Sequence, residues 1–339
     1  MTTLPPARPA DWLAEADRSS AWSEVTALVL GMGASGFAAA DALLEVGAQV
    51  VVIAEAGDSA ERRQILEVLG ASVRESAAQV IDDLAADLVI VPPEASPALV
   101  DAAIATGAPI WGDVELAWRL MHAERPAPWL GVTGVEGRAE TADMLASILS
   151  SAGLRTVTVG DPERPVIEAL NDPEPYDALV VNLTGERLHW LSSVTFHSAV
   201  VLNVDPADGG RGDHDLGVIY RGVTHACVYN VAEPRTEHLV EEADVTDGAR
   251  AIGFTLGTPA VSMVGLVEDL IVDRAFIPQR RDSALEVAKL HDVGPQDDPL
   301  RAACALAATA LARSFGVPAK AVADGLRAVD SADTRPGSP

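Results

Sequence analysis

Two segments of the sequence join an apolar strand-like run directly to a glycine-rich turn and then to a helix-forming run. The first, GMGASGFAAADALLEVGA, begins at Gly31 and follows the apolar run VTALVL. The second, WLGVTGVEGRAETADMLASIL, extends from Trp129 to Leu149. A strand that turns tightly into a helix is the building unit of parallel α/β sheets, so these two segments restrict the fold class more than any other part of the chain.

The first glycine loop has the spacing G-x-G-x-x-G, with Gly31, Gly33 and Gly36 as its glycines and Ser35 inside it. Glycines at these positions let the backbone approach a phosphate, which then lies at the positive end of the helix. Glu55 ends the next apolar run, where dinucleotide sites place a ribose-binding carboxylate. The pattern predicts a nucleotide site of the Rossmann type. The alternative interpretation is that the glycines serve only helix–strand packing.

The second glycine loop is similar to a phosphate-binding loop with a changed cation. Such loops end in G-K-[ST], whereas this one contains Gly134 and ends in Gly137, Arg138 and Ala139. The lysine contacts the β- and γ-phosphates and the hydroxyl holds Mg²⁺. Arginine is larger and planar, so the change predicts a nucleotide cradle without its usual chemistry.

The rest of the chain alternates between strand-like and helix-like runs, which favours parallel sheets covered by helices. A proline-containing break, ERPAP, lies at residues 124–128 and interrupts any helix there. We therefore predict an α/β protein with a Rossmann-like parallel-sheet domain over 1–124 and a P-loop-like α/β domain over 125–329. A polar tail is predicted over 330–339.

Composition excludes several classes of protein. The net charge of −26 argues against a nucleic-acid partner, because nucleic acids reward clustered lysine and arginine. No apolar run approaches the roughly 18 residues that a membrane span needs, and the N-terminus lacks a signal-peptide core. Cys227 and Cys304 lack the spacing of a zinc site or a disulfide framework. We expect a cytoplasmic protein with no membrane insertion, no bound metal and no nucleic-acid partner.

Several sequence blocks, in order along the chain, are similar to a known family. They are GMGASGFAAADALLEVGA, WGDVELAWRL (111–120), WLGVTG (129–134), AVVLNV (199–204), ACVYNVAEP (226–234) and GFTLG (253–257). From about Val25 to about Val329 the chain resembles the first two domains of a Mur ligase, in particular one of the D-glutamate-adding type. The resemblance implies a first domain that binds a UDP-sugar and a central domain that binds ATP and Mg²⁺. It also implies that the family's third domain, which helps to bind the amino acid, is absent.

The resemblance also implies which residues stand at the family's catalytic positions. Arg138 replaces a phosphate-binding lysine, Asn182 replaces a metal-binding glutamate, and Leu216 replaces a carbamylated lysine that holds a metal. Asn230 retains an adenine-side contact, whereas Glu136 adds a carboxylate that repels phosphate. Loss of one phosphate-clamping or metal-binding group can lower a rate by orders of magnitude.

At the sugar-nucleotide site, the resemblance implies that the sequences of two turns differ from the family pattern. A turn of the form T-S-P-G becomes Val91-Pro92-Pro93-Glu94, and a turn of the form G-N-I-G becomes residues 160–163, with the sequence GDPE. Only the first glycine loop keeps the family pattern.

These departures lead to the hypothesis of a catalytically inactive Mur-ligase-like protein with no cofactor. Its expected role is scaffolding or regulation in peptidoglycan precursor synthesis, with a UDP-linked cell-wall precursor or a cell-wall biosynthetic protein as partner. One alternative is an active UDP-MurNAc-L-alanine:D-glutamate ligase that uses ATP, Mg²⁺ and Arg138 and needs a partner chain for the third domain. A further alternative is an NAD-binding oxidoreductase that uses Gly31, Gly33, Gly36 and Glu55.

Overall fold

The computed structural model describes residues 11–55, 57–75, 85–121, 124, 126–161, 164–205, 207, 212–294 and 298–333. The chain forms two compact units. The first comprises Met1–Pro126, Gly160–Pro173 and Trp190–Ser193, and the second comprises Ala127–Val159, Glu174–His189 and Val194–Pro339.

Strands and helices alternate through most of the described chain. The strands are β1 Thr26–Leu30, β2 Gln49–Ala54, β3 Ser72–Glu75, β4 Leu88–Val91, β5 Ile110–Gly112, β6 Trp129–Thr133, β7 Thr156–Val159, β8 Ala178–Asn182, β9 Ser198–Val201, β10 Ala226–Asn230, β11 Arg250–Thr255, β12 Met263–Val267, β13 Leu270–Asp273 and β14 Leu285–Lys289. The helices are α1 Ala34–Glu45, α2 Ala60–Leu69, α3 Pro97–Thr106, α4 Asp113–Leu120, α5 Arg138–Ser151, α6 Val166–Leu170, α7 Gly185–Leu188, α8 Asp213–Gly217, α9 Pro234–Glu241, α10 Pro299–Ser314 and α11 Ala319–Asp333. Short 3-10 helices occupy Asp11–Glu15, Trp22–Glu24, Val218–Tyr220 and Leu290–Val293.

The first unit is built on a parallel sheet with the strand order β3-β2-β1-β4-β5. Strand β4 is buried along its whole length and β1 along nearly all of it, which explains their continuous apolar runs. The chain order reverses at β1, which lies between β2 and β4. In sheets of this kind, ligands bind beyond the carboxyl ends of the strands at such a reversal, and the first glycine loop lies there.

One buried carboxylate attaches the segment Trp190–Ser193 to the first unit. Glu115 is 0% exposed and accepts hydrogen bonds of 2.6 to 3.2 Å from the backbone N–H groups and hydroxyls of Ser192 and Ser193. Burial acts to raise the pKa of this carboxyl, but the serine hydrogen bonds outweigh it and lower the pKa. The sequence analysis placed residues 190–193 in the domain over 125–329, whereas their contacts group them with the first unit. Position along the chain does not show which unit a short segment will contact.

The second unit contains a nine-stranded sheet with the order β14-β13-β12-β11-β10-β9-β6-β8-β7. Strands β6 to β12 are parallel, and β13 and β14 add antiparallel pairs at one edge. The chain order reverses at β6, which lies between β8 and β9, so the second glycine loop also lies at a topological switch point. The predicted α/β class is confirmed, although the strands from β11 to β14 were not anticipated.

Helices α5, α10 and α11 cover one face of this sheet and share its main hydrophobic core. Small residues allow α10 to approach closely, since its buried positions include six alanines from Ala302 to Ala312. Helix α11 continues to Asp333, beyond residue 330 where the sequence predicted a polar tail. Within the described ranges, no helix has the length and apolar character needed to cross a membrane.

Candidate functional site

The second glycine loop joins β6 to α5 with the strand–loop–helix form that the sequence predicted. Gly134 and Gly137 have φ angles of 144° and 78°, a region that favours glycine. A Cβ built on Gly137 would lie 2.6 Å from the Sγ of Cys304, so helix α10 leaves no room for a side chain there. Gly137 is also the N-cap of α5 and provides no side-chain cap. The free N–H groups at the start of α5 are therefore available to an anion.

Asn203 holds this loop in shape, and the sequence analysis missed it. Its Oδ1 accepts hydrogen bonds from the N–H groups of Val135 and Glu136 at 2.8 and 2.9 Å. Its Nδ2 donates to the carbonyl of Glu136 at 3.0 Å. The available signal was an asparagine two residues after strand β9, in the block AVVLNV. Because Asn203 accepts hydrogen bonds from two N–H groups of the loop, the N–H groups of the first turn of α5 are the main backbone donors left for an anion.

Arg138 provides a positive charge at this position. Its side chain is partly buried, and it forms no ion pair or hydrogen bond with any residue that the structure describes. Burial lowers the pKa of its guanidinium. Glu140, in the same helical turn, is instead paired with Arg301 at 2.6 Å. The charge of Arg138 is therefore not neutralised within the described chain and favours an anionic ligand.

Asn182 lies at the same sheet edge as the loop, because it ends β8 and is in register with Val132 of β6. Its Oδ1 is buried and has no hydrogen-bond partner among the described residues. Leu216, in contrast, is 7% exposed and packs against the start of α7 near Gly185. The structure thus brings Asn182, but not a polar group at position 216, to the candidate site.

The described residues contain no group of three or more His, Cys, Asp or Glu side chains that could hold a metal ion. The Oδ1 of Asn182, which has no partner among the residues described, is a neutral oxygen ligand. A single neutral ligand of this kind fits a Mg²⁺ ion that is held mainly by phosphate oxygens and water. It does not fit a Mg²⁺ ion that is held by the protein alone.

A cavity of about 410 Å³ lies beside the loop. Phe254, Leu256 and Leu300 provide apolar lining, and Asn230 adds a polar group. The Oδ1 of Asn230 accepts from the N–H of Ala232 at 3.0 Å, and its Nδ2 donates to a backbone carbonyl at 2.9 Å. The volume and the mixed lining are typical of a small-molecule site and suit the apolar faces of a nucleoside.

The first glycine loop has its own tight geometry. Gly31 has a φ of 92°, and a Cβ on Gly36 would collide with the carbonyl oxygen of Gly31. Ser35 is 1% exposed, and its Oγ has no hydrogen-bond partner among the described residues. One oxygen of Glu55 accepts from the N–H of Ser96 at 2.9 Å. Glu55, which the sequence assigned to a ribose, therefore already holds the loop after β4.

Similarity to known proteins decides the family. No family model matches the chain. The UDP-N-acetylmuramoylalanine–D-glutamate ligase of Streptomyces coelicolor is 47% identical over 318 residues, covering 88% of this chain and 66% of that protein. The Streptomyces avermitilis protein of the same name is 46% identical over 323 residues, covering 91% of this chain and 67% of that protein. The chain belongs to the Mur ligase family. It spans about two thirds of the length of these relatives.

A solved Mur ligase has the same fold. The UDP-N-acetylmuramate:L-alanyl-gamma-D-glutamyl-meso-diaminopimelate ligase from Neisseria meningitides matches with a TM-score of 0.56 and 21% identity, covering 90% of this chain and 98% of that one. The resemblance to the Mur ligase family predicted from the sequence is confirmed.

The hypothesis of a catalytically inactive Mur-ligase-like protein is wrong. It is overturned by the relatives named as D-glutamate ligases, which are 46% and 47% identical over most of this chain. The hypothesis counted Arg138 and Asn182 as losses because they differ from the family pattern. Within the described part of the chain, the guanidinium of Arg138 has no ion-pair partner and the amide oxygen of Asn182 accepts no hydrogen bond, and both are groups that can contact a nucleotide complex.

Proposed function

We propose that this chain takes part in the ATP-dependent joining of D-glutamate to UDP-N-acetylmuramoyl-alanine, a step of peptidoglycan precursor synthesis. The names of the relatives support this substrate pair. The UDP-linked precursor is its proposed small-molecule partner. The second loop, with Gly134, Gly137, Arg138 and Ala139, is assigned to the nucleotide phosphates and Asn230 to the adenine side. The first loop, with Gly31, Gly33, Ser35 and Gly36, is assigned to the UDP-sugar.

The observation that carries this proposal is the guanidinium of Arg138 at the start of α5, which has no ion-pair or hydrogen-bond partner among the residues that the structure describes. A guanidinium presents donors in a planar fork that binds phosphate oxygens in pairs. Its partial burial strengthens that interaction, because water competes less for the charge. An arginine at this position therefore supplies the positive charge that a lysine supplies in most phosphate-binding loops.

In this reaction a carboxylate of the precursor attacks the γ-phosphorus of ATP, ADP leaves, and an acyl phosphate forms. The amine of D-glutamate then attacks the acyl carbon, inorganic phosphate leaves, and the nitrogen loses a proton to give the amide. Arg138 and the N-terminal N–H groups of α5 would orient the phosphates and stabilise their growing negative charge. Asn203 keeps the loop in the shape that presents these groups. Bound Mg²⁺ would neutralise phosphate charge, with Asn182 Oδ1 as the available protein ligand.

Calorimetry with Mg-ATP tests the nucleotide part of the proposal. We expect binding by the wild-type chain, retained binding in Arg138→Lys, and a loss of about tenfold or more in Arg138→Gln, since hydrogen bonds to charged groups contribute about 1.5–3 kcal/mol. Arg281→Gln is the matched control, because Arg281 is an exposed arginine elsewhere in the second unit. Absence of heat with millimolar Mg-ATP would contradict the assignment.

Mass spectrometry tests the ligation itself. The protein is incubated with ATP, Mg²⁺, UDP-N-acetylmuramoyl-alanine and D-glutamate, and both the amide product and ADP are measured. Product that depends on all four components and falls in Arg138→Gln supports the proposal. If ATP binds and no amide forms above the control without protein, the ligase assignment fails while the nucleotide site remains.

A further inference from the structure

The first glycine loop already holds an anion, and this anion belongs to the chain itself. The Oε1 of Glu94 accepts a hydrogen bond from the backbone N–H of Gly36 at 2.9 Å. A Cβ built on Gly33 would lie closer than 3.0 Å to the Oε1, Cδ and Cγ of Glu94. The carboxylate therefore lies directly against the loop, in the space that the missing side chain of Gly33 leaves open.

This position is the one where a phosphate would bind. Gly36 is in the first turn of α1, where backbone N–H groups have no partner within the helix and the helix dipole is positive. The N-cap residue Gly33 provides no side-chain cap. The buried hydroxyl of Ser35 in the same turn also lacks a partner among the described residues. The loop thus has donors for an anion beyond the one that Glu94 uses.

The route of the chain after β4 brings Glu94 to the loop. Strand β4 lies beside β1 in the parallel sheet, so the segments that follow both strands meet at the same edge. Pro92 and Pro93 precede Glu94 and restrict the backbone of this turn. The Cγ of Pro92 lies 3.4 Å from the position of a Cβ on Gly36, which places the turn directly over the loop.

The contact is easily broken, because little besides Gly36 holds the carboxylate. Glu94 is an exposed residue, and within the described chain it forms no ion pair. Release into water therefore costs little more than this one exposed hydrogen bond, whose net contribution is small because water can replace it. A phosphate group and this carboxylate could not share the site, because like charges at contact distance repel.

We propose that Glu94 is a built-in competitor for the phosphate position of the first glycine loop. A ligand that carries a phosphate binds there only by displacing the carboxylate, whereas a neutral nucleoside does not compete with it. Glu94 thereby weakens binding of free phosphate compounds and selects ligands whose other contacts offset the displacement. This inference deepens the UDP-sugar assignment and rests on the proposed function only in the choice of UDP as the probe.

Calorimetry with UDP and with uridine tests this competition in four proteins. They are the wild type, Glu94→Gln, Glu94→Ala and the control Asp101→Asn, which removes an exposed charge from the same unit. We expect UDP to bind about tenfold or more tightly to Glu94→Ala than to the wild type, since the variant lacks the like charge that phosphate meets near the surface. Glu94→Gln should lie between them, because the amide still accepts from Gly36 but carries no charge. Uridine affinity should be the same in all four proteins.

Two results would overturn the proposal. The first is an unchanged UDP affinity in both Glu94 variants, including no binding to any of the four proteins at millimolar UDP. The second is an equal tightening for UDP and uridine, which would indicate relief of crowding and not of charge. Inorganic pyrophosphate, used as a second probe, needs no assumption about the sugar nucleotide. The Mg-ATP measurement concerns the other glycine loop, so a failure of the proposed function is distinguishable from a failure here.

Discussion

Gly325 of helix α11 lies against Ile148 of helix α5 with no side chain between the two backbones. A Cβ built on Gly325 would lie 2.7 Å from the backbone nitrogen of Ile148. The hydroxyl of Ser147 also donates to the carbonyl of Gly325 at 2.8 Å, which joins the helices at the same point. Since α5 begins at the nucleotide loop, this contact supports the helix that positions Arg138.

Gly325→Ala should destabilise the second unit. The added methyl group meets backbone atoms that can move only if the helices separate, and overpacking of this kind costs about 1–3 kcal/mol. This exceeds the gain of up to about 1 kcal/mol from better helix propensity. Urea unfolding followed by circular dichroism measures the change. Gly257→Ala is the control, because the atom nearest to a Cβ built on Gly257 is 3.7 Å away. Equal stability of the two variants would contradict the close contact at Gly325.

Removal of the Glu115 carboxylate should loosen residues 190–193 from the first unit. Glu115→Ala leaves Arg119, which is 2.7 Å away and buried, without its ion-pair partner. Loss of one member of a buried ion pair costs about 3–5 kcal/mol. Hydrogen exchange of Ser192 and Ser193 should accelerate in this variant, whereas Glu45→Ala, which removes an exposed carboxylate, should leave it unchanged.

Glu115 should also make the free energy of unfolding depend on pH in the acidic range. Its pKa in the folded chain is lowered from the ordinary 4.5, so its contribution is complete above that value and is lost as the pH falls through the folded pKa. The wild type should therefore lose urea resistance below about pH 4.5 more steeply than Glu115→Gln. Parallel acid profiles for the two proteins would show that the carboxylate is not linked to folding.

A stacked histidine pair predicts a second pH dependence, at milder acidity. The rings of His197 and His225 lie 3.8 Å apart at 12°, and Phe315 meets His197 edge-on at 5.0 Å. Burial, with a smaller effect from the charge of His225, lowers the pKa of His197 from 6.5 to about 4. Between these values the unfolded chain binds a proton that the folded chain resists, so stability should fall as the pH drops from 6.5 towards 4.

The loss should amount to about 1–2 kcal/mol after allowance for partial exposure of the ring. It is measured as the fall in free energy of unfolding between pH 7 and pH 4.5, and His197→Gln should remove most of it. His238→Gln is the control, because His238 is 64% exposed. A fall of the same size in His197→Gln and in the wild type would contradict the assignment to His197.

Asn203→Ala should weaken Mg-ATP binding more than it weakens the fold. The change leaves the N–H groups of Val135 and Glu136 without their acceptor, so the loop loses the shape that presents Arg138. Both residues are exposed, and water can replace the lost bonds with little effect on the melting temperature. Calorimetry should show a nucleotide affinity lower by about tenfold. The exposed Asn171→Ala serves as the control, and equal affinities in the two variants would contradict this role.

Local patterns in the sequence predicted much of the fold. The apolar strands before Gly31 and Gly134, the glycines and the helices that follow are all encoded within about 20 residues, and the structure has each of them. The strands from β11 to β14 were not predicted, because their apolar residues occur in short runs among glycines and prolines that carry little periodicity.

The sequence by itself determined the α/β class, the two strand–loop–helix segments and the family, because these depend on residue order over short spans. Only the tertiary structure decided what occupies each glycine loop. Glu94 meets Gly36 across 58 positions of the chain, and Asn203 meets Glu136 across 67. The pairing of Glu140 was decided in the same way, because Glu140 lies near Arg138 in sequence but is paired with Arg301 from a helix that is distant in sequence. Such contacts depend on which strand ends adjoin in the folded sheet, and that adjacency is not encoded by spacing along the chain.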